Sequence, residues 1–92
     1  MKITNDPGKR RRTLVEREID FDDAAEVFDG QTLDFIDDRH DYGEVRVVTV
    51  GFFRGRMMVI VWTQRGDARH VISMRKANDR EKARYGRVLG SP

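Results

Sequence analysis

A chain of 92 residues with no cysteine, two histidines and a net charge of +2 has room for one domain around a small core. Disulfide staples, thiolate metal sites and cysteine nucleophiles are excluded, and two histidines without a spaced partner motif argue against a zinc site. The small net charge hides segregation: residues 1–15 balance at +4, residues 16–44 at −10 and residues 45–92 at +8.

Basic ends around an acidic middle predict two faces of opposite sign. Nucleic acid is drawn to the basic face, because affinity for a polyanion comes largely from neutralising its phosphates. The acidic segment is expected to lie away from such a site or to receive a basic partner. No apolar run approaches the roughly 18 residues of a membrane span. Residues 1–5 also lack the apolar segment of a signal peptide, so a cytoplasmic domain with no membrane contact is expected.

In chain order, Asp6-Pro7 reads as a helix N-cap and first helical position, where proline's missing N–H costs nothing. The helix behind it carries Lys9-Arg10-Arg11-Arg12, with Leu14, Val15 and Ile19 as a thin apolar side. A second helix is marked by Phe21, Ala24, Ala25 and Phe28 at i, i+3, i+4, i+7, with Asp20 as cap and Gly30 as stop. The period then changes to strand at residues 32–36. A polar turn region over residues 37–43 follows, then β-branched and apolar runs over 44–53 and 56–63 joined at Arg54-Gly55, a hairpin signal. Residues 64–67 make the next turn and 68–74 a further strand. Asn78 caps the last helix, and Glu81 three residues on completes a capping box.

These connections are too short for crossover helices, so the reading is an α+β domain: two N-terminal helices, a four-stranded antiparallel sheet and a C-terminal helix. The helices are expected on one face. Alternation points Val47, Val59 and Val61 one way and Val48, Val50, Met58, Ile60 and Trp62 the other. Both faces are thus apolar, and the second needs either the last helix folded back over it or a protein partner.

The residue most exposed to functional interpretation is Arg75, which ends its strand beside a helix on the same strand face as Arg69, Val71 and Ser73. It reads as a phosphate or transition-state ligand, against a structural ion pair. Arg46 opens an apolar strand, where burial without a partner is costly, so it needs either an acid such as Asp38 or Glu44 or a phosphate. His40 is a titratable base in a polar turn, while His70 on a strand reads as a hydrogen-bonded spacer. Tyr85 lies one helical turn beyond Glu81, a proton donor or a stacking ring, or else core. Lys9, Arg10, Arg12, Arg69, Lys76 and Arg80 are the candidate RNA-binding cations.

Several motifs in order resemble the BrnT family of toxins. They are Asp6-Pro7-Gly8-Lys9; Phe21 with Ala24, Ala25, Val27 and Phe28; Asp38-Arg39-His40; Arg46 to Gly51; and Ile72-Ser73-Met74-Arg75-Lys76-Ala77 followed by Glu81 and Tyr85. The likeness spans roughly residues 5–86 and implies a single toxin domain over 1–92. Asn5 stands where the family often has tryptophan and Thr13 where it has asparagine. Glu16-Arg17-Glu18 replaces a lysine-histidine-glycine run, so Arg17 holds the histidine's position. Arginine stays protonated near neutral pH and makes a poor base, though it holds a phosphate.

The resemblance implies a RelE-like fold and an endoribonuclease that needs no metal or cofactor and inhibits translation. Its implied site is drawn from Arg75, Arg46, His40, Glu81, Tyr85 and Arg17. It implies a BrnA-type ribbon-helix-helix antitoxin as partner, with operator DNA met only through that antitoxin. The departure at Arg17 leaves a second reading open, a weak or inactive relative that binds the antitoxin as a corepressor.

Overall fold

The computed structural model describes residues 1–90, and its sheet grows outward from one tight turn. Arg54 and Gly55 both have positive φ, 49° and 85°, as a two-residue hairpin turn of the primed kind demands. They join β3 (Arg46–Phe53) to β4 (Arg56–Arg65) and fix the register, with Val50 opposite Val59, Val48 opposite Val61 and Val47 opposite Trp62. β2 (Thr32–Asp37) pairs antiparallel with β3, and β5 (Ala68–Lys76) antiparallel with β4. β1 (Lys2–Asn5) lies parallel to β5, so the strand order is β1-β5-β4-β3-β2.

The expected four-stranded antiparallel sheet is therefore a mixed sheet of five. The unforeseen strand, Lys-Ile-Thr-Asn, is four residues long with one aliphatic side chain, too short to show alternation. The free edge of β5 recruits it. The hairpin register also corrects the phasing of the two central strands. Val48 and Val50 share a face with Val59 and Val61, while Val47 joins Met58, Ile60 and Trp62.

α1 (Pro7–Arg17) starts where expected: the Asp6 carboxylate accepts from the N–H groups of Gly8 and Lys9, and proline fills the first turn. It buries none of its residues. The second helix is interrupted at its start. Asp20 accepts from the Asp22 N–H and from the Asp23 N–H, drawing Phe21–Asp23 into a 3-10 turn before α2 (Ala24–Asp29). Its inward stripe is Phe21, Ala24, Val27 and Phe28; Ala25 is only half-buried. Gly51 lets α2 lie close, since a Cβ there would sit 2.9 Å from Val27 Cγ1 and 3.1 Å from Thr32 Cγ2. On this face Ile60, Met74 and Phe21 are sealed from solvent, each contributing about 1.5–3 kcal/mol by burial.

α3 (Asp79–Leu89) crosses the opposite face. It opens with the expected capping box, the Asn78 side chain accepting from Glu81 N–H and Glu81 accepting from Asn78 N–H. Leu89 and Ala77 close over Val48, Val50, Met57 and Val59, with Tyr85 packed alongside. The helices thus lie on both faces rather than one, because both faces of the central strands are apolar and each needs cover. The last helix does fold back. No described helix is long and apolar enough to cross a membrane.

Candidate active site

Directly opposed residues on neighbouring strands send their side chains to the same face. The register therefore lines up Thr4 on β1, His70 on β5 and Thr63 on β4. Arg46, next after the Val47–Trp62 pair, comes level with Thr63 and lies opposite Asp37 on β2. A polar row thus crosses the whole sheet on its α3 face. α3 packs on the neighbouring rows, through Glu81 on Arg75 and Tyr85 on Phe35.

A β-bulge decides who joins that row. Ser73 faces Val61, but Val71 faces Trp62, so Ile72 is the extra residue on β5. The step returns His70 to the same face as Ser73 and Arg75, where unbroken alternation would send it to the other side. It also carries Arg69 away. The Arg69 guanidinium sits 4.7 Å from the Phe28 ring and 4.3 Å from Trp62, on the α2 face.

Arg75 is held by Glu81 in a two-pronged pair, Nη1 donating to Oε1 at 2.7 Å and Nη2 to Oε2 at 2.9 Å. The same Oε1 accepts the Asn78 N–H at 3.0 Å, so one carboxylate serves both helix cap and guanidinium. Hydrogen bonding to Arg75 holds the Glu81 carboxyl below its ordinary range, and Glu81 raises Arg75 in return. Arg75 remains 41% exposed, so the guanidinium still meets solvent beyond its partner.

At the β2 end, the buried Asp37 carboxylate takes two bonds from Arg39, at 2.8 and 2.9 Å, and one from the Tyr42 hydroxyl at 3.3 Å. Arg39 is the main reason that Asp37 is lowered to about 2. The fixed Tyr42 ring stacks under Arg46, whose guanidinium carbon lies 3.8 Å from the ring centroid. Arg46 Nε is buried yet has no hydrogen-bond partner among the described residues. Neither Asp38 nor Glu44 pairs with it there. The His40 ring meets Tyr42 edge-on at 5.7 Å, and Phe35, 39% exposed, stacks on Tyr85 at 5.9 Å. Cations and open aromatic rings share one face, the combination that holds a single-stranded nucleic acid by its phosphates and bases.

A family model described as the ribonuclease toxin BrnT of a type II toxin–antitoxin system matches residues 6–81. The chain belongs to that family. No curated protein matches it. Membership of the BrnT family places the chain among the ribonuclease toxins of type II systems and implies an antitoxin partner. The match ends at Glu81, so it takes in both members of the Arg75–Glu81 pair and the whole polar row except Thr4.

Five of the six residues expected at a BrnT-type site gather on or beside the α3 face: Arg75, Arg46, His40, Glu81 and Tyr85. Arg17 does not join them. It closes α1, exposed, two residues before Ile19 enters the α2-side core. Among the expected RNA-binding cations, Arg10 is tied to Asp20 at 2.8 Å and Asp22 at 3.2 Å, and Arg69 lies on the wrong face. Lys9, Arg12, Lys76 and Arg80 are exposed, with no ion-pair partner among the described residues. The sequence reading missed Asp37, Arg39 and Tyr42 as a unit. Their signal was an acid, an arginine and a tyrosine within one turn, which also fits an ordinary polar loop.

Proposed function

We propose that the chain is a metal-independent endoribonuclease that cleaves RNA in the cytoplasm and so inhibits translation. In this reading it is neutralised by a BrnA-type ribbon-helix-helix antitoxin and meets operator DNA only through that partner. The observation that carries the reading is Arg46: a guanidinium braced on Tyr42 with a buried, unpartnered Nε on the polar row. The half-buried guanidinium has no acid partner among the described residues, so its charge is left for a phosphate to take up. Cleavage by this route uses the ribose 2′-hydroxyl as nucleophile, and DNA lacks that group. The protein then needs to supply a base and fixed positive charge at the phosphorane, while the leaving oxygen takes its proton from a protein group or from water. Arg46 and Arg75 supply the charge, with Glu81 aiming Arg75. Phe35 and Tyr85 stack a neighbouring base.

The deciding experiment is cleavage of a single-stranded RNA by the purified chain in EDTA, beside Arg46→Ala and Arg75→Ala. Cleavage that survives chelation and falls in both variants supports the reading. Loss of wild-type cleavage on chelation refutes metal independence. The second reading, an inactive corepressor, is favoured by Arg17 lying away from the α3 face and by Arg75 being engaged with Glu81. Folded wild-type protein that binds its antitoxin but never cuts RNA would select it.

A further inference from the structure

His70 fits poorly as a mere spacer. The bulge between Val61 and Trp62 spends a ladder position to bring it onto the face of Arg46, Ser73 and Arg75. Its ring is fixed there, with Nδ1 2.8 Å from Thr4 Oγ1 on the neighbouring strand. With Nδ1–H donating to Thr4, the Nε2 lone pair is left open. Thr63 stands between His70 and Arg46, so their backbones are two strand spacings apart, roughly 10 Å. His70 and Arg46 thus flank Thr63 on one face, at a spacing that matches a phosphodiester and its ribose.

The charges around the imidazole suit a base. Arg65 faces it from β4, Glu44 from the segment before β3, and Asp6 and Lys9 from the start of α1. Burial is the largest influence and lowers its pKa, Arg65 and Lys9 lower it further, and Glu44 and Asp6 oppose them without reversing the direction. The ring is therefore neutral at pH 7 and able to accept a proton. Arg65 and Glu44 are themselves an ion pair at 3.7 Å, so Lys9 is the cation left to add positive charge where the RNA backbone would run.

We propose that His70 is the general base of the cleavage, taking the ribose 2′-hydroxyl proton on Nε2 while Thr4 holds Nδ1–H. The assignment rests on the ribonuclease reading above. The 2′-oxygen attacks phosphorus and the bond from phosphorus to the 5′-oxygen breaks. The products are a 2′,3′-cyclic phosphate and a 5′-hydroxyl, whose proton comes from water. The imidazolium returns its proton to the hydroxide so formed, and the balance closes.

The test is the pH–rate profile of the full chain on a single-stranded RNA in EDTA, for wild type, His70→Asn and Thr4→Val. Asparagine keeps an amide donor near the place of Nδ1 but cannot act as a base. Wild type is expected to gain rate as pH rises through an acid limb with its midpoint below 6.5, then level off. His70→Asn is expected to lose the limb and about 10²–10⁴-fold of the plateau rate, while melting like wild type. Thr4→Val keeps the imidazole and is expected to move the limb to lower pH, since Thr4 accepts more strongly from the imidazolium than from the neutral ring. A His70→Asn variant with the wild-type limb and rate overturns the assignment and leaves the nuclease standing. An unmoved limb in Thr4→Val also overturns it, and serves if His70→Asn fails to fold. No cleavage by folded wild type overturns the nuclease reading itself, and this assignment falls with it.

Discussion

Breaking the Arg75–Glu81 pair from its two ends has unequal cost, because only one end is also a helix cap. Arg75→Ala removes two charge-assisted hydrogen bonds but leaves Glu81 bonded to the Asn78 N–H. Bonds to charged groups are worth about 1.5–3 kcal/mol, exposed ion pairs only about 0.2–1. With Arg75 41% and Glu81 18% exposed, about 1 kcal/mol is appropriate after solvent screening. Glu81→Ala loses the same pair plus its half of the capping box, another ~1 kcal/mol, for a total of about 2. At 4–8 °C per kcal/mol for a domain of this size, the melting temperature should fall by about 4–8 °C and about 8–16 °C respectively. The single tryptophan, Trp62, is buried in the core and reports the melt by fluorescence. The double variant should melt close to Glu81→Ala alone, since the pair can be lost only once. Arg75→Ala melting like wild type would refute the coupling and leave the guanidinium energetically free for substrate. Fully additive losses would refute it too.

Other expectations concern different parts of the fold. Arg46→Ala should cut RNA cleavage about 10²–10³-fold and cost about 0.5–2 kcal/mol of stability for the lost stack on Tyr42; an unchanged rate removes Arg46 from the site. Asp37 is lowered to about 2 from its ordinary value, so its unfolded form takes up protons first as pH falls. The stability it contributes is complete above about pH 4 and is lost as pH falls through about 2, a limb that Asp37→Asn should lack in acid titrations followed by Trp62 fluorescence. Gly51→Ala should destabilise by about 1–3 kcal/mol in urea unfolding, because Val27 and Thr32 are stiff side chains on a buried contact; a neutral result would mean that α2 can lift off β3 freely.

The α+β class, the hairpin at Arg54-Gly55, the Asp6 and Asn78 caps and the helix signals were legible because each rests on local chemistry. Even the correct pairing of the central strands was available: a two-residue turn makes Phe53 oppose Arg56, which forces Val50 against Val59. What local pattern could not supply was the recruitment of Lys2–Asn5 by a strand more than sixty residues away, or the bulge at Ile72. Those two facts decide the surroundings of His70. The reading of His70 as a hydrogen-bonded spacer found the hydrogen bond but not the face. Arg75 does lie near the end of a strand beside a helix, yet its engagement with Glu81 depends on how α3 folds back, which no spacing reveals. Arg10 and Arg69 looked like free cations only because their partners, Asp20 and the Phe28–Trp62 pair, come from other elements.

The parallel pairing of β1 with β5 has a kinetic side. Thr4 and His70 are 66 positions apart, so their contact closes nearly the longest loop the fold contains. Closing so long a loop early is entropically costly, and sheets built on distant pairings are slow to complete. While the chain leaves the ribosome, β1 has no neighbour to pair with until β5 has followed it out. The Thr4–His70 end of the polar row therefore waits for β5, and a nascent chain carries these residues without their arrangement. Time in translation becomes an interval in which the residues of the row exist but the row does not.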